Sequence, residues 1–270
     1  MIFLFKILFI YFAWFNVLLV GYQEPLSTIT NAQEFNNLYP LLSEYHLVPN
    51  ANVARFFVIR HGESEANLNR LLDSRILNLS LTLNGLQEAH NIGQLLAKKK
   101  SKINIIVSSP LIRAVQTAEV INQIFEGCCC IVLDSRLIER DYGIFDGCSA
   151  VEFEPCKKTE METIPTLETF LEKLNYREHP SMESYQEVYA RMSSALFELA
   201  ENHLGENVVI TTHGNSMRSL FMMGNAEQHN VFVPNYLFKT LNCCILLIES
   251  NGKTMKVQAV EGMEFLVTKK

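Results

Sequence analysis

The stretch Arg55-Phe56-Phe57-Val58-Ile59-Arg60-His61-Gly62-Glu63-Ser64 decides how this chain is read. Phe56 to Ile59 form a short apolar run of aromatic and β-branched residues that stops abruptly at a polar cluster. That is the pattern of a strand covered on both faces in a parallel sheet. The end of the run delivers a guanidinium beside an imidazole, and Gly62 follows with no Cβ to keep the backbone away from a ligand. Arg60 offers planar paired donors suited to phosphate. Ligands of open α/β sheets bind at the carboxyl ends of the strands, so an anion site is expected here.

Outward from this strand the pattern alternates. Thr82 is an N-cap for apolar residues at Leu83, Leu86, Ala89, Ile92, Leu95 and Leu96, a helix closing in Lys98-Lys99-Lys100. Ile103 to Val107 is a second strand and Leu111 to Phe125 a second helix, ending before Gly127. Cys130 to Leu133 is a third strand, Ser184 to Asn202 a long amphipathic helix, and Asn207 to Thr212 a fourth strand that runs through His213-Gly214 into a helix from Asn215 to Met223. Cys244 to Glu249 and Lys253 to Val260 are joined by Asn251-Gly252, a hairpin signal. The alternation predicts one α/β domain over residues 53–270 with a mostly parallel central sheet.

Residues 1–22 read MIFLFKILFIYFAWFNVLLVGY, with Lys6 as the single charge. About 20 apolar residues match the ~30 Å hydrocarbon thickness, so the segment is expected to be a signal or anchor. Lys and Arg are absent between Lys6 and Arg55, which favours a cytoplasmic N-terminus with the globular part exported. A cytosolic enzyme behind a misassigned start is the alternative. Residues 23–52 are polar, with Pro25, Pro40 and Pro49, and are expected to be a linker carrying a short helix or two.

Twenty-three Lys and Arg against 29 Asp and Glu give a net charge of −6, which excludes a basic nucleic-acid footprint. The seven cysteines lack a CxxC pair; they are expected to be thiols buried at strand positions, with neither a zinc site nor a redox pair. His46, His90, His179, His203 and His229 stand outside any motif and are expected at surface or structural positions.

Three further segments carry chemistry. Ser108 to Ala118 puts Arg113 in the first turn after a strand end, facing the rim of His61 and His213. Leu137 to Gly143 holds Glu139 and Arg140, and Thr212 to Arg218 holds the second histidine. With Asn67, Leu81-Thr82, Gly85, Gln87-Glu88-Ala89 and Glu183-Ser184-Tyr185, these motifs in this order resemble the histidine phosphatase superfamily, the phosphoglycerate mutase-like proteins. The resemblance runs from Ala54 to the C-terminus and implies a three-layer α/β sandwich.

It also implies roles. His61 is the nucleophile that takes the phosphoryl group as phosphohistidine. Arg60, Arg113 and a protonated His213 bind the phosphoryl oxygens, with Asn67 assisting. Glu139 is the general acid and base, and Arg140 and Gly214 join the substrate-binding set. Glu63 is expected to orient Arg60 or a backbone turn. No metal or cofactor is required, because phosphoryl transfer needs positioning and charge neutralisation above all. The partner is a small phosphorylated substrate, with no nucleic acid and a membrane association through residues 1–22.

A metal-independent phosphatase is the leading expectation. The near rival is a phosphoglycerate mutase, which the segment Glu139 to Gly143 resembles closely. The family's mutases carry a long insertion before the Glu-Ser helix start, whereas only Ile144 to Met182 fills that interval here, and a shorter lid admits water. An inactive binding protein held at a membrane is the third reading, opposed by competent residues at Arg60, His61, Arg113, Glu139 and His213.

Overall fold

The computed structural model describes residues 26–29, 31–99 and 102–266. The expected anchor at residues 1–22 lies outside them. Among the described residues, no helix is long and apolar enough to cross a membrane.

The chain opens with β1 (Ser27–Thr28) and α1 (Ala32–Asn36), then β2 (Ala54–Arg60), the short α2 (Glu65–Leu68), α3 (Leu83–Lys98), β3 (Ile103–Ser108), α4 (Ile112–Ile124) and β4 (Cys130–Leu133). A lid follows with α5 (Ala150–Thr163) and α6 (Phe170–Asn175). Then come α7 (Tyr185–Asn202), β5 (Asn207–Thr212), α8 (Gly214–His229), β6 (Val231–Phe232), β7 (Phe238–Ser250) and β8 (Met255–Phe265). The main sheet has the order β4-β3-β5-β2-β7-β8. Its β4, β3, β5 and β2 pair in parallel, and β7 and β8 add antiparallel.

Alternation along β2 builds the layers. Phe56 and Val58 face the core under α7 and α8 with Val188, Met192 and Phe221, whereas Phe57 and Ile59 face the core under α3 and α4 with Leu96 and Ile121. Burial of four consecutive apolar side chains, at about 1.5–3 kcal/mol each, fixes β2 at the centre of the sandwich. The three-layer α/β fold expected from the sequence is the one observed.

Three expectations need correction. The linker at 23–52 is packed onto the domain where described: β1 pairs with β6, Leu42 donates its N–H to the Val260 carbonyl at 2.8 Å, and Phe35, Tyr39 and Leu42 are buried. The Asn31 side chain caps α1 by accepting from the Glu34 N–H, while Phe35, Tyr39 and Leu42 reach the core. The final hairpin is longer than expected and its turn spans residues 251–254, with the Asn251 side chain accepting from the N–H groups of Lys253 and Thr254. The helix at 215–223 extends to His229 because its second half is also buried. Of the seven cysteines, all unpaired, Cys129, Cys243 and Cys244 are buried and Cys148 and Cys156 half-buried, while Cys130 is exposed on the edge strand β4 and Cys128 is exposed just before it. His46 and His229 are exposed, and His90, His179 and His203 are half-buried.

Candidate active site

Three strand ends meet at one rim. His61 donates its N–H to the Thr212 carbonyl at 2.9 Å, and Ser109 donates to the Thr211 carbonyl at 2.9 Å, so the ladder carries β2, β3 and β5 into the site in register. The two imidazoles lie 5.2 Å apart, centroid to centroid. The loop after His61 is pressed against α3: a Cβ on Gly62 would stand 2.2 Å from the Gly85 carbonyl oxygen. Gly62 therefore serves a backbone–backbone approach rather than the ligand approach expected of it. Glu63 braces the same turn by accepting from Thr82 Oγ1 at 2.7 Å and does not contact Arg60. Ser64 caps α2 in a reciprocal box with Asn67, whose side-chain oxygen accepts from the Ser64 N–H.

His61 is held in one tautomer. Its Nδ1 lies 2.7 Å from the Gly62 carbonyl oxygen, which only a donor satisfies, and its Nε2 accepts from Arg113 Nε at 3.2 Å. Burial, then the Arg113 and Arg60 charges, holds its pKa well below the usual histidine value. His213 is depressed in the same way, by burial first and then by Arg113 and His61. Both shifts favour the neutral ring, at His213 too, for which the resemblance implies a proton. Its Nε2 lies 2.8 Å from Ser109 Oγ, while its buried Nδ1 has no partner.

Arg113 is anchored from its far side, with Nη1 on Asp73 Oδ2 at 3.1 Å and Nη2 on the Asp73 carbonyl at 2.7 Å. Arg60 donates from Nη1 to the Thr240 carbonyl at 2.8 Å, and its buried Nε is unpartnered. Glu139 is held by main-chain donors: its Oε1 accepts from the N–H of Arg140 at 2.8 Å and of Asn215 at 3.2 Å. Asn215 also donates from Nδ2 to Tyr142 Oη at 2.7 Å. Burial, followed by the Glu139 charge, pushes the Tyr142 hydroxyl up and keeps it neutral.

These groups enclose a cavity of about 250 Å³. Arg60, His61, Asn67, Arg113, Glu139 and Gly214 line it, as the sequence led one to expect; Asp73, Tyr142, Asn215, Arg218 and Lys239 also line it and were not anticipated. His213 is wholly buried and does not line the cavity. Arg140 is diverted: its guanidinium pairs with Glu178, its Nε donates to the Glu183 carbonyl at 2.6 Å, and it stacks over Tyr185. It is absent from the lining, so the substrate-binding role expected of Arg140 is not met by its position. Among the described residues, no group of His, Cys, Asp or Glu is arranged to hold a metal ion.

A model of the histidine phosphatase superfamily (branch 1) matches residues 56–261, and the chain belongs to that family. The chain is 30% identical over 168 residues to phosphoglycerate mutase-like protein 4 of Arabidopsis thaliana, covering 62% of this chain and 70% of that one. It is 28% identical over 163 residues to the uncharacterised phosphatase PhoE of Bacillus subtilis, covering 60% and 73%. Phosphoglycerate mutase from Bacillus anthracis shares the fold at a TM-score of 0.61 and 19% identity, over 77% of this chain and 92% of that one.

Proposed function

We propose that this chain is a metal-independent phosphatase that hydrolyses small phosphomonoesters through a phosphohistidine on His61, with Glu139 as general acid and base. The observation that carries this reading is the hydrogen-bonding state of His61. An imidazole with Nδ1–H on a carbonyl keeps an Nε2 lone pair, and a depressed pKa keeps that lone pair unprotonated well below neutral pH. Nε2 attacks phosphorus, the bond to the leaving oxygen breaks, and Glu139 gives that oxygen a proton. Water then attacks phosphorus, Glu139 takes back a proton, and the P–N bond breaks to restore neutral His61 and release phosphate.

Arg60 and Arg113 bear the charge of the equatorial oxygens and Asn67 completes the cradle, with His213 packed behind the lining, its ring 5.2 Å from that of His61. An arriving dianion favours protonation of His213, which would add a positive charge behind the cradle. Hydrolysis rather than transfer follows from the short Ile144–Met182 lid, which leaves water access to the phosphohistidine.

Incubation with p-nitrophenyl phosphate should trap an acid-labile, base-stable phosphoprotein that the His61→Ala variant lacks together with turnover, and EDTA should leave the rate unchanged. Labelling retained in His61→Ala, or loss of rate restored by a divalent metal, would overturn the mechanism. Phosphoryl transfer to a phosphoglycerate outpacing phosphate release would make the chain a mutase.

A further inference from the structure

We infer that Tyr185, behind the cavity wall, is a positioning residue for the general acid: its hydroxyl locks Asn215, and Asn215 decides which Glu139 oxygen carries the proton. This rests on the acid role read for Glu139 and extends it to a group outside the cavity.

Tyr185 is the first residue of α7, set there by the Ser184 cap, and it is 4% exposed and absent from the cavity lining. A buried hydroxyl needs partners for both its hydrogen and its oxygen. The Tyr185 hydroxyl accepts from Asn235 Nδ2 at 2.9 Å and donates to Asn215 Oδ1 at 2.8 Å. Asn235, between β6 and β7, also hydrogen-bonds the Glu160 carboxyl of the lid. Only its NH2 group can donate, so both hydrogens of Nδ2 are committed and the direction of the Tyr185 hydrogen is fixed.

Asn215 is locked in turn. Its Oδ1 faces two donors, Tyr185 Oη and Arg218 Nη1 at 3.2 Å, so its Nδ2 is the atom left for Tyr142 Oη at 2.7 Å. Asn215 is the second residue of α8, where main-chain N–H groups lack an acceptor within the helix. That N–H reaches Glu139 Oε1 at 3.2 Å and Oε2 at 3.4 Å, and the Arg140 N–H donates to Oε1 at 2.8 Å. With both donors nearer Oε1, Oε2 keeps the open lone pairs and takes the proton that is given to the leaving oxygen. The Asn215 bonds are long, so a small displacement of this first turn would move its donor from one oxygen to the other. Pinning the side chain on Tyr185 prevents that displacement.

Tyr185→Phe removes the hydroxyl and keeps the ring beneath the Arg140 guanidinium. In the full-length enzyme, kcat/KM for glycerol 3-phosphate should fall about 5-fold or more, while kcat/KM for p-nitrophenyl phosphate, whose leaving group needs little protonation, changes by less than about 2-fold. Inhibition by inorganic phosphate, which reports the cradle, should stay the same. Tyr189→Phe is the control: it removes a comparably buried hydroxyl one turn along α7 that bonds Glu227 instead, and should leave the ratio of the two substrates at its wild-type value. Asn235→Leu should shift the ratio in the same direction, and combined with Tyr185→Phe should add nothing, because both act through one hydroxyl. Equal losses on both substrates, or an unchanged ratio, would overturn the positioning role. Glu139→Gln measured alongside separates the failures. A ratio that moves in Glu139→Gln but not in Tyr185→Phe overturns this inference alone, and one that moves in neither overturns the acid role with it.

Discussion

At the strand-end rim, charged side chains are held by main-chain groups and left open toward the cavity; in the lid, the same kinds of side chain are closed upon one another. Glu139 and Arg140 mark the boundary, being neighbours in sequence with opposite fates. Glu139 is held by two backbone N–H groups and lines the pocket, while Arg140 is 2% exposed and pairs with Glu178, beside Glu160 of α5. A buried counter-ion alone does not decide this, since Arg113 pairs with buried Asp73 and still lines the pocket, whereas Arg140 is turned wholly onto Glu178 and away from it.

The largest effect that would break this contrast comes from the lid. Arg140→Met leaves the Glu178 carboxylate buried without its partner and should cost about 3–5 kcal/mol of stability, read by urea unfolding. The double variant Arg140→Met with Glu178→Leu should recover most of that loss. Unchanged stability with a large rise in KM would place Arg140 in the pocket after all.

The rim makes the next largest claim. Glu139→Gln should slow release of alkyl alcohols by about 10²-fold or more and release of p-nitrophenol less, because a good leaving group needs little protonation. A burst of p-nitrophenol with phosphohistidine accumulation should accompany slow turnover. Similar small losses on both substrates without a burst would make Glu139 structural. Asp141 and Asp146 are poor substitutes, since Asp141 Oδ1 accepts from the Gly143 N–H and Asp146 accepts from the N–H groups of Ser74, Arg75 and Ile76.

The smallest effect sharpens the lid's side through pH. Burial, and then the adjacent Glu178, push the Glu160 carboxyl up to about 7. Its stabilising protonation is complete below the unfolded value near 4.5 and is lost as pH rises through 7. Relative to wild type, Glu160→Gln should therefore gain about 2 kcal/mol between pH 5 and pH 8, measured by chemical denaturation at both. Taking the difference at each pH cancels Glu227, raised to about 7 by burial, and the two buried histidines, whose neutrality costs stability as pH falls below about 6.5. A flat difference would leave Glu160 outside the cluster's charge balance.

Legibility followed the range of the interactions. Phe56 to Ile59 announce a buried strand because four adjacent apolar residues admit few other placements, and Thr82 announces a helix start because its hydroxyl caps the Gly85 N–H three residues on. The first half of β7 was hidden by the alternating Phe238-Lys239-Thr240 and by the irregularity before Ile245, where Cys243 takes a positive φ. In the lid, α5 carries Pro155 in its interior, where proline disfavours a helix, so its sequence gives little local signal. Among site residues, His61 and Arg113 were legible from strand ends and motif order. Arg218 could have been found from its one-turn spacing after Gly214. The fate of Arg140 depends on Glu178, distant in sequence, and Asp73 comes from a segment without periodicity, so neither could be read locally.

The pairing of β1 with β6 has a geometric consequence for anything joined to the front of the domain. The Ser27 N–H bonds to the carbonyl of Asn230, which caps the end of α8 opposite Gly214, and 16 helical residues at ~1.5 Å each separate the two ends by about 24 Å. The described chain at Leu26 therefore starts beside the far end of α8, a full helix length from Gly214 in the cavity lining.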